Sequence, residues 1–118
     1  MWLKRIQNDT GYYPSLPKDK TTPFTNRSIQ IPRIPDNYFV KVSSDSITVY
    51  NYTEQVKNQF ISDLGGLGFI YDGDKRVYNK EVGNNIYTVE ISEPTEQNVV
   101  TGEMSQVLRI SFSEGQQQ

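Results

Sequence analysis

Four groups of residues in this chain have types and spacings that chemistry uses. Asp72-Gly73-Asp74 sets two carboxylates around a turn, as calcium loops do. Gly65-Gly66-Leu67-Gly68 is glycine-rich, as loops that cradle phosphate are. Glu90, Glu93, Glu96 and Glu103 offer carboxylates for acid–base work, and nineteen Ser and Thr offer hydroxyls. An EF-hand loop beginning at Asp72 needs Gly at its sixth position and Glu at its twelfth. Val77 and Gly83 stand there. A phosphate loop precedes a helix, whose N-terminus carries the positive dipole end. Here the glycines follow a helical pattern, and no Gly-Lys-Ser/Thr is present. Paired catalytic carboxylates must share a cleft. Glu90 is out of phase with Val89 and Ile91, on the solvent side of a strand. The chain has no His and no Cys. The commonest general base, the activator of the serine triad and the thiolate nucleophile are thereby missing. Lysine activation remains open, but no Ser-Lys pair is marked out. The expectation is a non-enzymatic protein with no catalytic residues, no cofactor and no metal site.

Binding is better supplied. Residues 1–37 contain Pro14, Pro17, Pro23, Pro32 and Pro35, five of the six prolines. Proline lacks a backbone donor and pushes the preceding residue toward extended geometry. The same stretch carries six basic and three acidic side chains, a net +3, while residues 38–118 carry six and eleven, a net −5. Trp, Tyr and Arg dominate interface hot spots. The residues expected to meet a partner are therefore Trp2, Arg5, Tyr12, Tyr13, Phe24, Arg27, Ile29, Ile31 and Arg33. They lie on an extended Pro-rich arm spanning 1–37, within which 28–34 is a candidate edge strand. Deleting residues 1–27 should then leave a folded body.

The remaining elements follow from composition and periodicity. Ten Ile and ten Val stand against five Leu and no Ala, a balance that favours pleated structure over helix. Tyr38, Val40 and Val42 share one strand face, and Ile47 and Val49 share the next. Val56, Phe60, Ile61 and Leu64 fall on one side of a helix over about 53–64, capped by Asn51 and ended by Gly65-Gly66. Strands follow at Phe69–Tyr71, Arg76–Tyr78, Tyr87–Ile91 and Leu108–Phe112, with Pro94–Gly102 as a polar loop around Val99-Val100. The compact β-rich domain is expected over 38–113, with 114–118 as a disordered tail. Short turns favour antiparallel pairing. The fold class is α+β and β-rich: a mostly antiparallel sheet of four to six strands, or a partly open barrel, with one helix.

In architecture, a Cys- and His-free β-rich body with a Pro-rich arm resembles the accessory proteins of phage particles: capsid decoration, head–tail connector and tail proteins. The resemblance implies an assembly role in which the arm docks on neighbouring subunits, copies of itself among the candidates. Two other readings remain open: a regulatory module binding single-stranded nucleic acid through the basic–aromatic arm, and an acidic protein inhibitor. A net +3 is little charge for phosphate binding, and the acidic body repels it, so nucleic acid is the less favoured partner. No apolar run reaches the roughly 20 residues of a membrane span, and Met1–Ile6 is too short for a signal peptide. The expected location is the cytoplasm, or a virion assembled there.

Overall fold

Alternation of β-branched and aromatic residues with polar ones gives most strands one oily side, and the architecture follows from burying it. The structure, a computed structural model, describes residues 11–116. Trp2 and Arg5, two of the expected partner contacts, lie outside the described residues. The elements are β1 (Tyr12–Tyr13), a 3-10 turn (Lys18–Thr21), β2 (Val40–Val42), β3 (Ser46–Val49) and helix α1 (Glu54–Gly66). Then come β4 (Ile70–Asp72), β5 (Val77–Val82), β6 (Asn85–Ser92), β7 (Thr95–Gln97), β8 (Met104–Gln106) and β9 (Leu108–Gln116).

Seven strands form one antiparallel sheet in the order β1-β2-β3-β9-β6-β5-β4, and β7 and β8 form a separate ribbon. The sheet is thus wider than the four to six strands expected, and it is open, with β1 and β4 at its edges. The extra width comes from Tyr12–Tyr13, which pair with Val40 and Lys41. β9 lies in the middle and pairs with β3 on one side and β6 on the other. It runs on to Gln116, opposite Asn85 at the start of β6. Glu114–Gln116, expected to be disordered, therefore have ladder partners.

One face of the sheet is apolar: Val40, Ile47, Val49, Leu108, Ile110, Phe112, Val89 and Tyr87 are all buried on it. Two things cover it. The first is α1, which presents Phe60 and Leu64 to this core. The second is the segment before β2. Leu16, Phe24, Ile29, Ile31 and Ile34 are buried in the same cluster. Phe24 packs edge-on against Tyr87 and Phe112, with ring centroids 5.1 Å and 5.8 Å away. This corrects the extended arm over residues 11–37. The prolines do keep α-helix out of the segment and bar most of it from a ladder, and residues 28–34 form no strand. An apolar sheet face this wide exceeds what one 13-residue helix covers, and irregular chain carrying Leu, Phe and Ile closes the gap.

The helix begins with Thr53, not Asn51, as its cap: Thr53 Oγ1 accepts the Val56 N–H at 3.2 Å. It ends in a Schellman pattern. Gly68 at φ +96 bonds back from its N–H to Gly65 O, and the Phe69 N–H reaches Leu64 O at 3.0 Å. Leu64 and Phe69, which that pattern brings together, are both buried. The other sheet face is mostly polar, with Thr48, Arg109, Ser111, Glu90, Thr88 and Ser113 set across neighbouring strands.

Candidate interaction surfaces

Against a mainly polar exterior, two exposed apolar surfaces are built on ordered elements. The first is the β7–β8 hairpin, which leaves the sheet between β6 and β9. Asn98, 1% exposed, organises its turn. The Asn98 amide donates to Asn51 Oδ1 at 2.9 Å and to Ser105 Oγ at 3.3 Å. Its carbonyl oxygen accepts the N–H groups of Val100 at 2.8 Å and Thr101 at 3.2 Å. Along the main chain, the Asn98 N–H donates to Glu103 O and the Gly102 N–H donates to Asn98 O. A buried amide satisfied at both ends rigidifies the loop around it. What this turn presents is apolar: Val99 and Val100 are 45% and 50% exposed, and Met104 on β8 is 66% exposed. Glu103, also exposed, stands beside them.

The hairpin base is pinned by charge. Arg109 on β9 reaches Glu96 on β7 at 2.5 Å and donates to Thr48 Oγ1 at 3.2 Å. Glu93 accepts the Tyr52 hydroxyl and lies 3.1 Å from Lys57 Nζ on α1. The Tyr52 and Lys57 hydrogen bonds hold the Glu93 carboxyl below its ordinary range. Tyr52 is pushed up to about 12, first by burial and then by its bond to Glu93. Lys57 is raised, chiefly by its own bond to Glu93. Every shift locks the group into the state it already has at neutral pH. A proton-transfer catalyst needs the opposite, a pKa drawn toward the working pH.

The second apolar surface is the sheet edge at β4. Ile70 is 74% exposed and Tyr71 more than half exposed. Among the described residues no strand pairs with the outer side of β4, and such an edge presents unpaired main-chain groups. The turn after it is the expected hairpin: Asp72 Oδ1 accepts the N–H groups of Asp74 and Lys75, which commits that carboxylate to its own loop. Among the described residues, no group of three or more acidic side chains is placed to hold a metal. A third feature is a groove between the N-terminal segment and the C-terminal end of α1, lined by Lys18, Ile31, Pro32, Arg33, Ser62 and Leu67.

The residues expected to bind a partner are scattered by the structure. Phe24, Ile29 and Ile31 are buried in this chain's own core and are unavailable to another molecule. Tyr13 packs half-buried against that core. Tyr12 stacks on Phe39 with centroids 6.0 Å apart, and Lys41 Nζ stands 5.4 Å from its ring. Arg27 and Arg33 are exposed. Arg27 donates to Thr22 O at 3.1 Å, and Arg33 pairs with Asp36 at 3.3 Å. Val99, Val100, Met104 and Ile70, which the structure leaves exposed, are not among the expected contacts. The usable signal was Val99-Val100, two adjacent β-branched residues inside an otherwise polar stretch. The chain matches no family model, no curated protein and no solved structure at a significant level.

Proposed function

We propose that this chain is a non-enzymatic structural subunit that works by binding other proteins within a larger assembly. The observation that carries the reading is the rigid hairpin turn that displays Val99, Val100 and Met104. Exposed β-branched side chains held by a fully satisfied buried amide lose little entropy on docking, which is what a preorganised contact requires. The exposed β4 edge adds a second attachment point of a different kind, suited to strand addition. Within this class we favour an accessory component of a virus-like particle: a capsid decoration, connector or tail protein. The support is architectural, a small body without His or Cys whose exposed apolar side chains sit on a hairpin turn and a sheet edge. Docking through residues 12–34 is dropped from the proposal, because their apolar side chains serve the chain's own core.

Size fractionation of the native source, with the chain followed by mass spectrometry, tests the reading. The expected result is a particle far heavier than the 13.6 kDa chain, with the chain at a constant ratio to its other proteins. Recovery only at monomer size would sink it. Nucleic-acid binding is the lesser alternative. Phe24 is buried and Tyr12 is stacked on Phe39, so neither offers a fully open ring to a base.

A further inference from the structure

We propose that the cavity between the 3-10 turn and the β2–β3 turn binds a small phosphorylated sugar, its phosphate held by Lys20 and Arg27 and one of its hydroxyls by Asp19. The inference goes beyond the assembly reading and stands or falls apart from it. It uses polar side chains of the same N-terminal segment whose apolar ones fill the core. Phe24 anchors that segment over Tyr87 and Phe112. The 3-10 turn before it is left facing the β2–β3 turn across a cavity of about 430 Å³, within the range of about 300–1,000 Å³ usual for small-ligand sites. Both walls are fixed by their own main chain. The Lys20 N–H donates to Pro17 O at 3.0 Å, the Ile31 N–H to Thr21 O at 2.9 Å, and the Ser43 N–H to Ser46 O at 2.8 Å. Val42 and Pro23, both half-buried, supply the accessible apolar surface, while Ile47 and Phe112 at the same cavity are buried.

The charges on the walls call for an anion. Lys20 is half-buried, and among the described residues its ammonium makes no ion pair and no hydrogen bond. Arg27 meets no carboxylate there either, Asp19 included. Its guanidinium is nevertheless held in place, donating from one nitrogen to Thr22 O at 3.1 Å and to Thr22 Oγ1 at 3.4 Å. The backbone around it is tied by Asn26 Oδ1, which accepts the Ser28 N–H at 3.0 Å. Arginine carries five N–H donors in a planar fork, so the rest of the fork is left for an oxyanion. Ser43 and Ser44 bring two exposed hydroxyls to the opposite wall. A phosphate monoester carries about −1.5 to −2 charge at pH 7 and three strong acceptor oxygens, which two cations and two hydroxyls answer. A carboxylate carries a single charge and leaves one cation unmatched. Asp19 is the one acid on the walls, and its carboxylate accepts no hydrogen bond among the described residues. It repels a bare anion, and it suits a ligand whose body supplies hydroxyl donors away from the phosphate, as a sugar does.

An NMR titration of the full-length chain at low salt, where screening is least, reads the site through its amides. Glucose 6-phosphate should shift the amides of Lys20, Arg27, Ser43 and Ser44 saturably, with a dissociation constant at or below about 1 mM. Inorganic phosphate should move the same amides with about tenfold lower affinity, and glucose alone should not move them. Lys75 and Arg76, on the β4–β5 turn at the far edge of the sheet, should stay still. Lys20→Gln and Arg27→Gln should each weaken glucose 6-phosphate about tenfold or more, as loss of a charge-assisted hydrogen bond does. Arg27 also braces Thr22, so Lys20→Gln carries the test should R27Q melt early. Asp19→Asn should weaken glucose 6-phosphate and leave inorganic phosphate unchanged or tighter. Shifts that do not saturate by about 10 mM, that reach Lys75 and Arg76 equally, or that survive Lys20→Gln overturn the proposal. So does equal affinity for the two phosphates, or a D19N chain that binds both more tightly.

Discussion

Phe24 separates two descriptions of this molecule. On a free arm its loss would change nothing in the folded body. In the structure its ring meets Tyr87 and Phe112 over the centre of the sheet. F24A should therefore cost about 3–5 kcal/mol in a urea titration, a large share of what a domain this small has. An unchanged midpoint would contradict the core assignment. Glu93 makes a second residue-level prediction. Its pKa lies below the ordinary value near 4.5, so the contribution of its contacts is complete above that value and is lost as pH falls through the folded-state pKa. E93Q should flatten the acid limb of the stability profile below about 4.5 and lower stability at neutral pH. The alkaline side has the reverse sign. Tyr52 rises from 10.0 to about 12 on folding, so its contribution is complete below 10 and drains away as pH climbs toward 12. Y52F should hold its stability over that window better than the parent chain, measured by denaturation at fixed pH steps.

At the scale of elements, Gly68 carries the helix-to-strand turn. Its φ of +96 is one that residues with a Cβ rarely take. Gly68→Ala should cost about 1 kcal/mol, seen as a lower thermal midpoint. Gly65→Ala should instead raise stability by about 0.5–1 kcal/mol, since Gly65 is helical and an added Cβ there meets nothing within 4 Å. The elements were legible where period and capping agree. Val56, Phe60 and Leu64 repeat every four residues and mark α1. Val89 and Ile91, like Leu108, Ile110 and Phe112, alternate and mark the two central strands. The N-terminal segment was misread because proline reports on backbone conformation and says nothing about where the neighbouring side chains go. Ile29, Ile31 and Ile34 have no period because they cover the sheet from irregular chain. The β7–β8 ribbon was missed because its paired residues, Thr95 to Gln97 and Met104 to Gln106, are mostly polar. The contacts that hold it, Asn98 with Asn51 and Arg109 with Glu96, join positions far apart in sequence.

For the molecule as a whole, the order β1-β2-β3-β9-β6-β5-β4 divides the sheet into two wings joined by one strand. The wings are β1 to β3 and β4 to β6, and among the described residues no strand of either pairs with one of the other. Ending the chain after Val107 removes Leu108, Ile110 and Phe112 together with both ladders. Such a chain should show no cooperative unfolding transition. A synthetic peptide of residues 108–116, added in excess, should restore a transition. If it does not, the two wings fail to hold an open slot on their own.

Among the described strands, that central one is also the last to be made. On the ribosome, at about 5–20 residues per second, both wings and the helix emerge before the piece that joins them. For those seconds the nascent chain exposes the two inner edges that β9 will pair, on β3 and β6. Its vulnerable moment is birth, and demand for a chaperone should end abruptly once β9 clears the exit tunnel and slides between β3 and β6.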